Sequence, residues 1–583
     1  MRTTVWAVAV CVAACVSGRA AGQEASPLSN EADQWRAQRR LIDMHMHVDP
    51  TPERFARAVK VMDAVGIGTA IDLGVGTVTR GPSGEPSQLE QAKKLTDEQF
   101  PGRFLHYMIL DYKGWDDADW SDRAVRQVEE GHRLGAAGLK EFKRLGLYLR
   151  DGKGKLIKVD DPKLDPVWKR CGELGMPISI HVADPKAFWQ PYNDKNERWR
   201  ELKGHRAWWF GEANRFPAWK DILEALDRVV ARHPKTTFVC VHFANNAEEL
   251  DWVDQKLGSR PNMMLDLAAR IPEVGRHDPE QVRKLFIKYQ DRIVFGTDFQ
   301  VYERLTLGSG GDEPPPTDED AVTFYKKHWR FLETNDRDWE HMTPIQGDWK
   351  ISSIGLPPEV LRKVYFDNAR RILARSLPLP VMKAAHAEAD FDVDGNLDKP
   401  AWKKARPVAI EYSIADGSAR PALSTSVSCL WTDRHVYFAF SCPFTKLTTF
   451  EPVSKKERLG LWDKDVVEVF MAPFPNKITR YGEYEVAPTN EKLDVLIDRP
   501  ISDFPWDSKF TSAVKVDEAK KQWTAELKIP LDTLDAPRPA PGMRWRLNLY
   551  RSDKAGNVFM GWSPTMNGSA HTPEKFGVLE FGE

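Results

Sequence analysis

The chain has 583 residues, 42% hydrophobic and 29% charged, with a formal net charge of −2. That length exceeds what one hydrophobic core organises, so two or more domains are expected in a globular, water-soluble protein. The near-neutral balance gives no electrostatic reason to expect nucleic acid or an anionic membrane as a partner.

The opening residues, "MRTTVWAVAVCVAACVSGRAAGQ", begin with one basic residue, continue as a short apolar run to Val16 and end in small residues. This is the pattern of a secretory signal over residues 1–22, with Ala20-Ala21-Gly22 as the cleavage site. The run falls short of the ~20 residues that a membrane-spanning helix needs. Val12-Ala13-Ala14-Cys15 also resembles a lipobox, so a lipid anchor through Cys15 stands as the alternative to a soluble exported form. The expected location is periplasmic, extracellular or, as a lipoprotein, the outer membrane, with no transmembrane segment.

Residues 41 to 50, "LIDMHMHVDP", alternate with a strand's period of two: Ile42, Met44, Met46 and Val48 on one face, Asp43, His45, His47 and Asp49 on the other. Two imidazoles two residues apart on one strand face can share a metal ion, although an isolated pair of this kind is also a common surface feature. Seven further apolar runs follow: "GIGTAIDLG", "FLHYMIL", "AAGLKEFK", "MPISIHV", "TTFVCVHF", "NMMLDLA" and "RIVFGTDF". Between them lie segments with helical spacing, such as "ERFARAVKVMDAVG" and "WKDILEALDRVVARHP". Eight strand-and-helix units predict a (β/α)₈ barrel over residues 23–378. An open doubly wound sheet would bring a glycine-rich phosphate turn after its first strand, and none is present.

A proline-bearing segment predicts a linker at 379–390. Beyond it, short alternating runs separated by turn residues ("STSVSCLW", "HVYFAFSC", "DVVEVFMAP", "WRLNLYRSD") predict an all-β sandwich over 391–583. Apart from the signal, the cysteines are Cys171, Cys240, Cys429 and Cys442. A hairpin turning near Asp433 would set Cys429 opposite Phe438, so no structural disulfide is expected.

On the barrel, His45 and His47 fall on the first strand, His181 at the end of the fifth, His242 at the end of the sixth and Asp298 at the end of the eighth. Each alone reads equally as a hydrogen-bonded core or loop residue. Together they converge at the C-terminal mouth, where barrel enzymes gather their catalytic groups. Imidazoles and a carboxylate suit one divalent ion, Zn²⁺ first and Mn²⁺ or Fe²⁺ as alternatives, with a position open to water. Arg270, and Asn196, Glu197 and Arg198 in an aromatic-rich insertion after the fifth strand, are candidates to bind substrate. The insertion reads as a lid or as a satellite hydrophobic cluster.

This pattern resembles the amidohydrolase superfamily, in the amidohydrolase-related branch that also includes decarboxylases. The resemblance covers about residues 40–375 and rests on His45 and His47, the later His181 and His242, and "FGTD" ending in Asp298. It implies a metal held by His45, His47, His181 and Asp298, with Asp298 moving a proton and His242 polarising the substrate carbonyl. Lys140 stands near the position of the carboxylated lysine that bridges two ions in some members, so it is a candidate second-metal or substrate ligand.

The order "FDVDGNLDKPAWKKA", "LWTDRHVYFAF", "LWDKDVVEVFMAP", "WTAELKIPLDTL" and "HTPEKFGVLEF" resembles family 9 carbohydrate-binding modules. That resemblance implies polysaccharide as a partner, gripped by Trp462, Glu468 and Trp562. Trp402, Trp523 and Trp545 are expected in the core. "DVDGNLD" offers oxygen ligands for a structural Ca²⁺, and reads equally as a plain turn.

The function expected is an exported metal-dependent hydrolase that cleaves an amide, ester or lactone of a carbohydrate-derived substrate. The alternatives are a non-oxidative decarboxylase and a non-catalytic carbohydrate-binding surface protein.

Overall fold

In a computed structural model of the chain, residues 27–310, 314–474 and 476–583 are described; the expected signal at 1–22 and Cys15 lie outside them. Eight parallel strands form the barrel: β1 (Leu41–Val48), β2 (Ile67–Gly76), β3 (Phe104–Met108), β4 (Gly138–Glu141), β5 (Ile178–Ile180), β6 (Phe238–Cys240), β7 (Met263–Asp266) and β8 (Ile293–Val294). Helices between them start and stop at legible signals. Pro52–Val65 begins with Thr51, whose side chain accepts from Arg54 N–H, and ends at Gly66 with φ of 82°. Gln88–Gln99 opens with a capping box between Ser87 and Glu90. No helix among the described residues is long and apolar enough to cross a membrane.

The run "RIVFGTDF" is not one continuous strand. β8 stops at Val294, and the chain re-enters the sheet as β9 (Phe299–Val301), parallel to β1 and paired with the antiparallel β10 (Leu305–Leu307). The buried carboxylate of Asp43 explains the break, because it accepts hydrogen bonds from the Thr297 hydroxyl at 2.6 Å and the Thr297 N–H at 3.2 Å, drawing those groups out of the ladder. Met44 N–H to Phe295 C=O (2.9 Å) and Asp298 N–H to His45 C=O (2.8 Å) close the barrel. Gly296 allows a close approach, since a Cβ there would stand 3.0 Å from His45 Cβ and 3.3 Å from Asp266 Cβ.

The β-sandwich begins earlier than expected. Val381–His386, inside the expected linker, is a strand: its first part runs parallel to Gly577–Phe581 and its last two residues to Leu430 and Trp431. With Met382 and Ala384 buried, it joins the Gly577–Phe581 strand to the Thr425–Trp431 strand, and the prolines at 378 and 380 precede it. The hairpin register sets Cys429 opposite Phe438, and all four described cysteines are buried and free. Trp523 and Trp545 fill the core, and Trp402 is buried with its indole N–H on Glu526 at 2.8 Å.

The two domains are bonded to each other. Glu411 of the sandwich accepts from Arg362 at 2.7 Å and from Arg40 at 3.2 Å, both on the barrel, and Tyr412 donates to Asp367 at 3.3 Å.

In "DVDGNLD" an ammonium already stands at the Asp394 carboxylate. Asp394 is paired with Lys399 at 2.6 Å and accepts from Asn396 N–H, and Lys399 also reaches Glu526 at 2.5 Å, so the ammonium supplies the positive charge that an ion would have brought.

Candidate metal centre

The barrel mouth holds a cavity of about 360 Å³. At its floor, His45 Nε2 lies 3.6 Å and His47 Nε2 3.4 Å from Asp298 Oδ1. These three residues offer one ligand atom each, all within 4.8 Å of one another. His45 is aimed by Asp266 on β7, whose Oδ2 is 2.7 Å from His45 Nδ1. A carboxylate only accepts, so Nδ1 carries the proton and Nε2 keeps its lone pair for the cavity, the arrangement that outer carboxylates give to metal-binding histidines. Asp298 sits at φ of 63°, a left-handed conformation at the β8 break, and its carboxylate accepts from the Gln300 side chain at 3.0 Å. Spacing, lone-pair direction and donor set therefore fit a divalent ion.

Burial first, then the nearby Lys140 and imidazole charges, hold the His45 and His47 rings well below the usual histidine range, so both are neutral. Neutral imidazole is the form that binds metal. Burial pushes Asp298 up to about 7 against the pull of Lys140.

His181 lines the same cavity, its ring centroid 4.2 Å from that of His242, but its Nε2 faces Asp184 Oδ1 at 3.5 Å and it stands apart from the closest triad. Burial opposes ionisation of Asp184, yet Lys143, His181 and Arg270 outweigh it and hold that carboxyl below its usual range.

His242 follows β6 in a run of left-handed residues, His242 to Asn245, with φ between 54° and 60°. Such positions cost about 1 kcal/mol or more each and persist only when surroundings impose them. Here Asp266 Oδ1 accepts the His242 N–H at 2.7 Å, and Asn245 Oδ1 accepts the Val182 N–H at 2.9 Å beside His181. His242 Nδ1 lies 2.9 Å from the Ala268 carbonyl, which only accepts, so Nδ1 is protonated and Nε2 bears a lone pair. Burial keeps this ring neutral. In this tautomer Nε2 accepts, so donation from His242 to a substrate carbonyl would require a second proton on the ring.

The cavity's donors are cations. Lys140 points inward from β4 while its neighbour Glu141 points outward to the Tyr112 hydroxyl at 2.8 Å. Lys140 Nζ is buried with no hydrogen-bond partner, and burial brings it down to about 8. Arg270 also lines the cavity, 3.7 Å from Asp184.

Arg198 does not. It is 1% exposed, bound to Glu201 at 2.7 Å and to Glu273, behind the cavity wall. Two carboxylates claim its guanidinium, so the expected substrate contact passes to Glu201, which reaches the cavity. Asn196 donates to Ala187 C=O and Glu197 pairs with Arg276, also outside the cavity. From the insertion, Phe188, His205 and Trp208 form cavity wall, while Trp189, Phe210 and Phe216 pack together. Asp266, Asp184, Glu201 and Tyr302, which line or support the cavity, are not distinguished by the sequence. The available signal was position: Asp266 closes β7 in the alternating "MMLD", and Asp184 lies three residues beyond His181.

In the sandwich, Trp462 (38% exposed) and Glu468 line a second cavity of about 310 Å³. Trp562 does not face it. It is 6% exposed in the core, where Gly577 leaves room for its ring. It follows the strand Val558–Gly561, its N–H bonded to the Leu549 carbonyl at 2.9 Å and its ring packed in the core, which corrects its expected contact with sugar.

The family model described as Amidohydrolase matches residues 42–375, and that described as Carbohydrate family 9 binding domain-like matches 393–583. An "Extracellular protein" of Arthroderma benhamiae is 24% identical over 180 residues, 28% of this chain and 80% of that one. The structure of 2,6-dihydroxybenzoate decarboxylase from Rhizobium aligns at TM-score 0.34 and 16% identity, over 57% of this chain and 98% of that one. A carbohydrate-binding module of family 9 from Caldicellulosiruptor kristjanssonii, in complex with cellotriose, aligns at TM-score 0.27 and 16% identity, over 35% and 94% respectively. With more than half its length matched by the first of these models, the chain belongs to the amidohydrolase family, and its barrel is fused to a carbohydrate family 9 binding domain-like sandwich.

Proposed function

We propose that the protein is an exported, single-metal hydrolase that acts on an amide, ester or lactone of a carbohydrate-derived compound and is held to polysaccharide by its sandwich. The observation that carries this reading is the approach of His45 Nε2 and His47 Nε2 to Asp298 Oδ1, at 3.6 and 3.4 Å, on the floor of an open cavity. His45, His47 and Asp298, with His181 in reach, would hold the ion, Zn²⁺ before Mn²⁺ or Fe²⁺ on donor chemistry. A divalent ion there supplies Lewis acidity and brings the pKa of bound water toward neutrality.

The chain's residues supply the rest. Asp298 takes a proton from the attacking water and returns it to the leaving group. Lys140 and Arg270 present N–H donors where negative charge develops on the substrate oxygen, a role open to Lys140 because its ammonium, over the Phe142 ring, has no hydrogen-bond partner. His242 Nε2 accepts a hydrogen bond from water or from a substrate hydroxyl. Phe188 and Trp208 shield the cavity from bulk water.

One observation favours a second reading. A buried unpaired ammonium beside an arginine also suits a carboxylate substrate, which supports a non-oxidative decarboxylase. The metal-loaded protein incubated with a panel of lactones, esters, amides and aromatic or sugar acids separates the two. Acid or amine release that is lost with chelator and in Asp298→Asn supports hydrolysis, CO₂ release supports the second reading, and silence across the panel with metal bound contradicts both.

A further inference from the structure

The second cavity lies on the outer face of a sandwich sheet and carries a charge arrangement that sugar hydroxyls alone do not account for. Val467, Val469 and Met471 of the strand Val466–Ala472 face the core, so Glu468 and Phe470 face outward. On the neighbouring strand Arg480–Val486, Glu485 stands opposite Glu468 and Glu483 opposite Phe470. One oxygen from each of the three glutamates lies within 4.8 Å of the others. Like charges paired across strands are destabilising.

A second observation is independent of their number: Glu468 Oε1 and both oxygens of Glu485 are buried and have no hydrogen-bond partner, although all three residues line the cavity. Each such oxygen forfeits a solvation that a bound donor would restore. Asp463 also lines the cavity; Lys554 is the positive group facing it, while His571, 4.0 Å from Glu483, is held below the usual histidine range by burial and then by Arg499. The rim is aromatic and open, with Trp462 at 38% and Phe504 at 44% exposure.

We propose that this cavity takes a sugar bearing a free primary amine, its ring against Trp462 and Phe504 and its ammonium among Glu468, Glu483 and Glu485. An ammonium has three donors, one for each glutamate, and no acceptor. Aromatic faces stack on the apolar side of a pyranose and attract the adjacent cation. A bare Ca²⁺ takes six to eight oxygens around it, whereas these carboxylates project from one sheet face into about 310 Å³ of space. The proposal rests on the reading of the sandwich as a carbohydrate-binding module and narrows it to aminated glycans.

The test is calorimetric titration of the full chain at neutral pH with β-1,4-linked glucosamine disaccharide, its N-acetylated counterpart and cellobiose. A charge-assisted hydrogen bond predicts at least about tenfold preference for the free amine over cellobiose, falling to about unity in Glu485→Gln. Trp462→Ala should weaken all ligands together. If Glu485→Gln does not fold, the salt dependence of the wild type decides: amine binding weakens with added NaCl and cellobiose binding does not. Equal affinity for all three sugars overturns the proposal but leaves the carbohydrate reading standing. Binding of none overturns both. Thermal stabilisation by CaCl₂ alone that disappears in Glu485→Gln, with no preference for the amine, makes this an inorganic cation site and also overturns the proposal.

Discussion

Asp266 touches two functional groups at once: its Oδ2 is 2.7 Å from His45 Nδ1 and its Oδ1 accepts the His242 N–H at 2.7 Å. One carboxylate thus sets the ring of the first-strand histidine and the unusual backbone that presents the sixth-strand one. Asp266→Asn keeps the shape but cannot accept through both atoms. Metal affinity should fall about 10- to 100-fold, as for outer-sphere partners generally. Competition with a fluorescent chelator measures it, and unchanged affinity would show that Asp266 does not orient the ligand.

Lys140 is the cavity's unpaired cation, and its burial without a partner suits a substrate anion better than a structural ion pair. Lys140→Met should leave the metal content at one equivalent per chain and lower kcat/KM by at least about tenfold, the loss of one charged donor. Two equivalents in the wild type, falling to one in the variant, would instead make Lys140 a bridging ligand.

Arg198 is expected to matter for the fold rather than for substrate. Its guanidinium is buried between Glu201 and Glu273. Arg198→Met leaves two buried carboxylates uncompensated, a loss of about 3–5 kcal/mol. Thermal unfolding should show a lowered Tm for the barrel transition, with KM of the surviving folded fraction little changed.

The first-strand histidines were legible because a period of two places their side chains on one face without any tertiary knowledge. The barrel was legible for the same reason, through eight short runs separated by helical spacing. Asp266 was not, since a single carboxylate ending "MMLD" looks like ordinary alternation until β1 is brought beside it. Arg198 and Trp562 show the opposite error. Each belongs to a polar or aromatic stretch that resembles a binding surface, and only distant partners, two carboxylates for Arg198 and the Gly577 backbone for Trp562, reveal that it faces inward. Strand Val381–His386 was hidden by its flanking prolines, which read as a linker although the six residues between them and the next turn still alternate.

The outer-face glutamates make a pH prediction. Burial pushes Glu483 up to about 7 from 4.5, and burial with the neighbouring carboxylates raises Glu468 and Glu485 above the usual range. Raised folded-state values mean that the fold retains protons the unfolded chain releases, so stability declines as pH rises above about 4.5, Glu483's share being lost through about 7 and those of Glu468 and Glu485 continuing as pH rises. The difference in Tm between Glu485→Gln and wild type, followed by calorimetry from pH 5 to pH 8, should therefore grow in favour of the variant, by on the order of 3 °C or more. A difference that shrinks with rising pH would contradict the assignment.

The central claim is that side chains far apart in sequence hold one divalent ion at the barrel mouth. The most direct test is a crystal structure of the metal-loaded protein with anomalous data collected at the metal's absorption edge. The account predicts a single peak about 2.0–2.2 Å from His45 Nε2, His47 Nε2 and an Asp298 oxygen. A loaded, folded protein whose ion lies elsewhere, or whose three side chains remain without one, would contradict it.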